Sequence, residues 1–456
     1  MNDDIEDQRE QEEFLQLLLL EEDATQAIED DAVYYAQMGA AVILYGAEEA
    51  RHIRNERRYE RRLYLTRAEL LPNPRHDTPW QQLYGSRNDR AFITTMGFSC
   101  SVFDLILSAG FEERWNTTPI SRNDVSSGGT PRLYTRSLDA AGALGLVLHY
   151  LNSTMHDVSL MQIFALIPTT VTRYISFSLS ILLETLRTMD DARVAWPVGD
   201  EFQFLNSLVT ACHPLLTGAF GVMDGLNLAT QTSDDIEIEN ATYNGWMHDH
   251  FVSCVFSFGS TGMYSTNPFL LSLSRTGEII ACRLNAPGSW HDSRLAQTIY
   301  EKLRTQTPDG YYLVTDTAFP RGTHQIKGRI RAPMKSGTRL PADPKQCDQI
   351  LAFDRQLLQF CQAAEWGMRT MQGSFGRLCV PLQINYHDLR GDLLETCTRL
   401  FNLRARKVGL NQIRTVYMPI WRENEQDHVW KDFEEMLFSE QRQLDRGECF
   451  HLVVVE

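Results

Sequence analysis

Residues 218–230 read GAFGVMDGLNLAT and residues 310–319 read GYYLVTDTAF. In both, a short apolar run leads into an aspartate, Asp224 in the first and Asp316 in the second. Runs of this length, bounded by glycine, predict buried strands rather than helices. Two more lie between them, HFVSCVFSF (250–258) and GEIIACRLNA (277–286), while residues 293–305 and 348–372 carry helical spacing. Strands followed by helices predict an α/β (α+β) domain of catalytic type over residues 210–410.

Two more carboxylates stand where structured elements begin or run. Asp292 lies in PGSWHDS, and Glu365 lies mid-helix in FCQAAEWGMR. A carboxylate held in apolar surroundings is costly unless a cation compensates it. Taken singly, each of these acids reads as a turn cap or an exposed helical glutamate. Taken together, their hard oxygens suit a pair of Mg²⁺ or Mn²⁺ ions. Two such ions about 3.5–4 Å apart activate a water and stabilise the leaving oxygen of a phosphodiester. A phosphatase using Asp224 as nucleophile is the weaker reading, because a second Asp two residues on is wanted there and the chain has Leu226.

Upstream, the pattern is helical and the charge is uneven. The 456 residues carry a net charge of −16, and residues 1–31 hold 13 acidic side chains against the single basic Arg9. Residues 1–50 therefore read as an acidic, flexible tail, with FLQLLLL (14–20) as a contact segment within it. Residues 51–90 read as a basic helix with seven arginines in 51–67, then a connector marked by Pro72, Pro74 and Pro79. A basic stripe of this kind serves phosphate contact, nuclear import or a plain solvated face.

Residues 91–200 read as a helical domain. Within it, 138–153 predicts a buried helix, 159–168 a short helix ended by Pro168, and 169–186 a long helix with a Thr-rich N-cap. That order is a helix-turn-helix, which would present Thr169, Thr170, Thr172 and Arg173 to DNA; an ordinary helical bundle gives the same pattern. Residues 411–456 read as an acidic C-terminal extension. Hydrophobic residues at 43% exclude wholesale disorder, and nine cysteines without a Cys-x-x-Cys pair argue against a disulfide framework or zinc knuckle. With no apolar run near about 18 residues and no signal-like start, a soluble intracellular protein without membrane association is expected.

The motifs also come in a specific order. Asp224-Gly225, Tyr243-Asn244-Gly245-Trp246, Pro287-Gly288-Ser289-x-His291-Asp292-Ser293, Asp316-x-Ala-Phe and Glu365-x-Gly follow one another along the chain. This series resembles the DDE endonuclease domain of PIF/Harbinger-type transposases and their domesticated relatives, over residues 215–405. The resemblance implies an RNase H-like fold, with Asp224, Asp316 and Glu365 as the DDE triad and Asp292 as an added metal ligand. It implies divalent cations (Mg²⁺ or Mn²⁺, two of them) and hydrolysis of DNA phosphodiesters that leaves a 3′-hydroxyl. The expected setting is the nucleus, with the cytoplasm as the alternative, and a Myb-like DNA-binding partner protein; a homo-oligomer stays open. The alternative function is a catalytically silent DNA- or protein-binding module.

Lys335 and Arg369 are the nearby cations for phosphate, although Arg369 at i,i+4 from Glu365 also suits a simple ion pair. Arg377, Arg404, Arg406, Lys407 and Arg414 extend the expected DNA footprint, and His291 and His248 read as structural, with proton transfer or DNA contact as the alternative. Two features depart from the resemblance. Cys361 stands where relatives carry a basic residue a turn before the glutamate. Residues 262–276 interrupt an otherwise tight strand–turn–strand, as a translated intron, a recent insertion or a lineage-specific loop.

Overall fold

The computed structural model describes residues 3–60, 69–120, 129–259, 277–319, 326–335, 337–341 and 343–407. The interruption at 262–276, the C-terminal extension and Arg414 lie outside them. The chain divides into two units, Met1–Thr66 and Arg67–Glu456.

The first unit is one helix, Asp3–Glu60 (α1), where a flexible tail was expected. No proline occurs before Pro72, and Glu, Gln, Leu, Ala and Arg dominate, all good helix formers. Acidic residues early and arginines late also complement the helix dipole. Its described side chains are exposed, Phe14 and Leu17 to Leu20 among them.

The second unit opens with a helical layer: Pro79–Ser86 (α2), Asp89–Met96 (α3), Cys100–Ile106 (α4), Glu112–Thr117 (α5), Ala140–Asn152 (α6), Asp157–Phe164 (α7) and Pro168–Thr188 (α8). Pro79 does not merely break a helix. It occupies the first turn of α2, capped by the Thr78 side chain, and delivers Trp80 into the core. The Trp80 indole stacks on Tyr84 and Phe164 at 5.4 Å. It also lies so close to Gly145 of α6 that a methyl group there would collide with it.

Pro168 likewise starts α8 rather than ending α7. Helix α7 stops at Phe164 with Ala165 left-handed, and the cap of α8 is Ile167, which makes no side-chain capping bond; Thr169 lies inside the helix. Helices α7 and α8 meet at 92° across this break. Thr169 and Thr172 are exposed, with Thr170 and Arg173 half-buried beside them. No single helix among the described residues is long and apolar enough to cross a membrane.

Glu201–Thr210 (α9) leads into the sheet, formed by Ala219–Ala229 (β1), Tyr243–Asn244 (β2, after helix α10, Ile236–Thr242), Asp249–Gly259 (β3), Glu278–Pro287 (β4), Tyr312–Thr315 (β5) and Ile330–Arg331 (β6). β1 is central. It pairs antiparallel with β3 and parallel with β5; β3 pairs antiparallel with β2 and β4, and β5 pairs parallel with β6. This mixed sheet with helices on its faces is compatible with a DDE nuclease domain. Gly259 pairs with Glu278, so the strands flanking 262–276 close as a hairpin without it.

One face of the sheet buries Phe220, Met223, Val255 and Ile280 against Phe202 and Leu205 of α9, together with Ile299 and Leu303. The last two belong to Gln297–Thr305 (α12), which follows the short Asp292–Leu295 (α11). Each such side chain contributes about 1.5–3 kcal/mol. Pro344–Ser374 (α13) and His387–Lys407 (α14) follow, and α13 packs on β1 and β5. The Asn402 side chain of α14, fully buried, accepts from the Ile279 amide at 2.8 Å and donates to the Ile279 carbonyl at 2.9 Å.

The basic end of α14 does not reach outward to DNA. Arg406 binds Glu278, and Lys407 binds Asp191 at 2.7 Å. Arg404 is half-buried, and Arg377 lies 4.3 Å over the Tyr150 ring. Arg406 ties α14 to β4, and Lys407 ties it to the segment after α8.

Candidate active site

The parallel register of β1 and β5 brings the two aspartates together. Val222 stands beside Val314 and Met223 beside Thr315. One residue further, Asp224, still within β1, and Asp316, just past the end of β5, stand on adjacent strands about 4.8 Å apart. Asp316 is exposed beyond the end of β5, where its carboxylate accepts from the Ala318 amide at 2.9 Å and fixes the turn. Asp224 is half-buried and accepts from the Gly225 amide at 2.7 Å.

The PGSWHDS loop supplies the third acid. His291 caps α11 through its Nδ1, which accepts from the Ser293 amide at 3.2 Å. The cap sets Asp292 in the first turn, with its Oδ1 only 3.1 Å from where a Cβ on Gly225 would stand. Any larger residue at 225 would press on that carboxylate. Arg294 stacks on the Trp290 ring at 3.9 Å and steadies the same turn.

Glu365 comes from α13. One turn earlier, the Cys361 thiol donates to the carbonyl of Thr315, the residue before Asp316, at 3.2 Å. Burial pushes this thiol up to about 12, and Asp224, Asp316 and Glu365 each push it further the same way. Cys361 is therefore a neutral group set among three acids.

Electrostatics report the same convergence. Burial raises Asp224 from the ordinary carboxylate range to about 7; the Gly225 amide opposes this, while Asp316, Glu365 and Asp292 add to it. Asp292 is also raised, by burial first and then by Asp316, against the opposing pull of His291. Behind them the buried Tyr300 hydroxyl has no hydrogen-bond partner, and its acidity is suppressed by burial and by Asp292 and Asp316.

The fit to a divalent cation is good in donor chemistry and incomplete in arrangement. Aspartate oxygens and an unsatisfied hydroxyl suit a hard cation. Yet among the described residues no three His, Cys, Asp or Glu side chains are grouped to hold a metal ion. Glu365 is 59% exposed and points to Arg369, whose guanidinium lies 3.9 Å away. An i,i+4 pair of this kind on an exposed helix face is a weak contact.

Lys335 is exposed, and Thr338 bonds its carbonyl. The residues expected to face DNA from α8 lie on the helical layer, in a different part of the fold from the acids. Sequence reasoning overlooked Tyr300; its spacing within α12 reads only as core.

Comparison with curated proteins and with solved structures gives no match. Residues 223–402 match the family model described as DDE superfamily endonuclease, a span holding all four acids, and the match supports assignment of this part of the chain to that superfamily.

Proposed function

We propose that the protein is a metal-dependent DNA endonuclease of PIF/Harbinger transposase descent. The observation that carries the reading is the register of β1 and β5, which sets Asp224 beside Asp316 while Asp292 closes on Gly225. The strand order, with an antiparallel hairpin on one side of β1 and parallel strands on the other, supports the RNase H-like form of the fold.

Asp224, Asp316 and Asp292, with Glu365 released from Arg369, would hold two Mg²⁺ or Mn²⁺ ions. Bound there, the cations supply Lewis-acid activation of a water or 3′-hydroxyl and neutralise the phosphate. The chain's own part is to aim the carboxylates. Asp316 is fixed by the Ala318 amide and Asp224 by the Gly225 amide, and Cys361 adds no competing charge. Exchange of Arg369 from Glu365 to a phosphate oxygen would couple substrate arrival to completion of the site. Thr169, Thr170, Thr172 and Arg173, at the start of α8, form the proposed DNA-reading surface; the 92° meeting of α7 and α8 supports that helix-turn-helix reading. A nuclear location and a Myb-like partner complete the proposal.

The test is nicking of supercoiled plasmid in Mn²⁺. Asp316→Ala should lower the rate at least about 10³-fold, as loss of a direct metal ligand would. Undiminished nicking by that variant would overturn the site. A second reading, the catalytically silent binding module, is favoured by the outward Glu365. It predicts DNA binding with no Mn²⁺-induced rise in melting temperature.

A further inference from the structure

Trp246 is the most exposed large apolar side chain among the described residues, at 89%. A flexible loop would explain such exposure simply, but Trp246 sits on a locked turn. The Asn244 side-chain oxygen accepts from the amides of Trp246 at 3.0 Å and Met247 at 3.2 Å, and its carbonyl accepts from the His248 amide at 2.8 Å. His248 takes the left-handed conformation needed to close the turn, and Tyr243 and Asn244 pair with His250 and Asp249. An indole held out in water by this many backbone constraints is presented, not merely left over.

The turn is tied to two segments that carry acids of the site. The Asn244 amide donates at 3.0 Å to the carbonyl of Gly288, in the loop that delivers Asp292. The Asn227 amide donates to the Met247 sulfur at 3.5 Å, and Asn227 lies three residues beyond Asp224 on β1, about 10 Å along the strand. The indole thus stands on a turn anchored to the strand that carries Asp224 and to the loop that leads to Asp292. Its neighbours on the turn are polar (Asn244, His248, Asp249), and only Met247 and Tyr243 add partly exposed apolar surface. That patch is far smaller than a stable protein interface requires. A single rigid aromatic face beside a phosphodiester site matches the face of a nucleobase, which stacks on indole with little regard to sequence.

We infer that Trp246 stacks on an unpaired or flipped-out base next to the phosphate to be cut, and so positions distorted DNA ends over the acids. Bases inside an intact duplex already cover each other's faces, so the site would favour substrates with an unpaired nucleotide at the cut. The inference rests on the DNA-cutting reading for its substrate, but its readout is independent of cleavage.

The experiment uses the full chain in EDTA with two oligonucleotide duplexes, one carrying 2-aminopurine unpaired at an overhang and one carrying it fully paired. Wild type and Asp316→Ala should quench the unpaired probe and bind that duplex about tenfold more tightly than the paired one. Trp246→Phe should keep most of the preference, and Trp246→Ala should bring it within about twofold. Because the indole is exposed, an unchanged melting temperature will confirm that Trp246→Ala folds. Quenching and preference that survive in Trp246→Ala, or that wild type lacks, overturn the inference. Loss of Mn²⁺-dependent nicking with Trp246-dependent quenching intact would sink only the cutting reading.

Discussion

The helical layer and the carboxylate cluster treat buried ionisable groups in opposite ways. In the layer, Arg136 is buried but fully engaged: its guanidinium donates to the carbonyls of Trp115 and Thr118 and stacks 4.8 Å over the Trp115 ring. His149 of α6, edge-on to Trp80 and Phe164, is pushed down to about 4 by burial and stays neutral. Around Asp224 in β1 and Asp316 just past β5, four acids act on one another's charge, with Glu365 turned toward Arg369 at the margin, and Asp224 is pushed up to about 7. A stability-driven fold would not retain that arrangement. Carboxylates brought together without a compensating cation mark a place where a ligand is expected.

The contrast can be broken in order of effect size. The largest effect is the loss of nicking in Asp316→Ala described above, which the helical layer should not share. Next, Trp80→Ala empties the centre of the layer and should cost about 3–5 kcal/mol in urea unfolding. The Mn²⁺-induced rise in melting temperature should survive it; loss of both together would mean the two regions are not separable.

Third is the pH dependence of Asp224. Its folded-state pKa is raised from 3.8 to about 7, so the folded protein binds this proton where the unfolded chain releases it. The stabilisation from holding the proton is complete below the unfolded value and disappears as pH rises through about 7. In EDTA, Asp224→Asn should therefore be more stable than wild type at pH 8, by about 2–4 kcal/mol, with the difference vanishing near pH 4. Parallel stability curves for the two proteins would remove the strain argument. The smallest effect is expected from deleting residues 262–276. Gly259 and Glu278 already pair, so the melting temperature should move by less than about 2 °C. A large fall would show that the segment is structural.

Much of the sheet was legible because β1, β3, β4 and β5 are buried and write continuous apolar runs into the sequence. Asp224 and Asp316 were legible because each follows such a run, and Glu365 because small and apolar residues flank it. The i,i+4 pairing of Arg369 with Glu365 was open from spacing alone and is what the structure contains. Proline misled twice. Pro79 and Pro168 looked like breaks, yet both open helices, since a first-turn position needs no amide hydrogen. The basic end of α14 misled because its partners, Glu278 and Asp191, lie far away in sequence. Charge density alone does not tell a nucleic-acid face from an internal tie.

Asn402 carries a consequence for how the protein behaves when concentrated. The outer side of β4 would otherwise offer the Ile279 amide and carbonyl to a strand from another molecule, the usual starting point for fibril growth. One side-chain amide occupies both groups, and β6 at the opposite edge is only two residues long. With α14 packed on β4, pairing of another strand at Ile279 is blocked, and the opposite edge is too short to template it, so the sheet should resist aggregation through these edges.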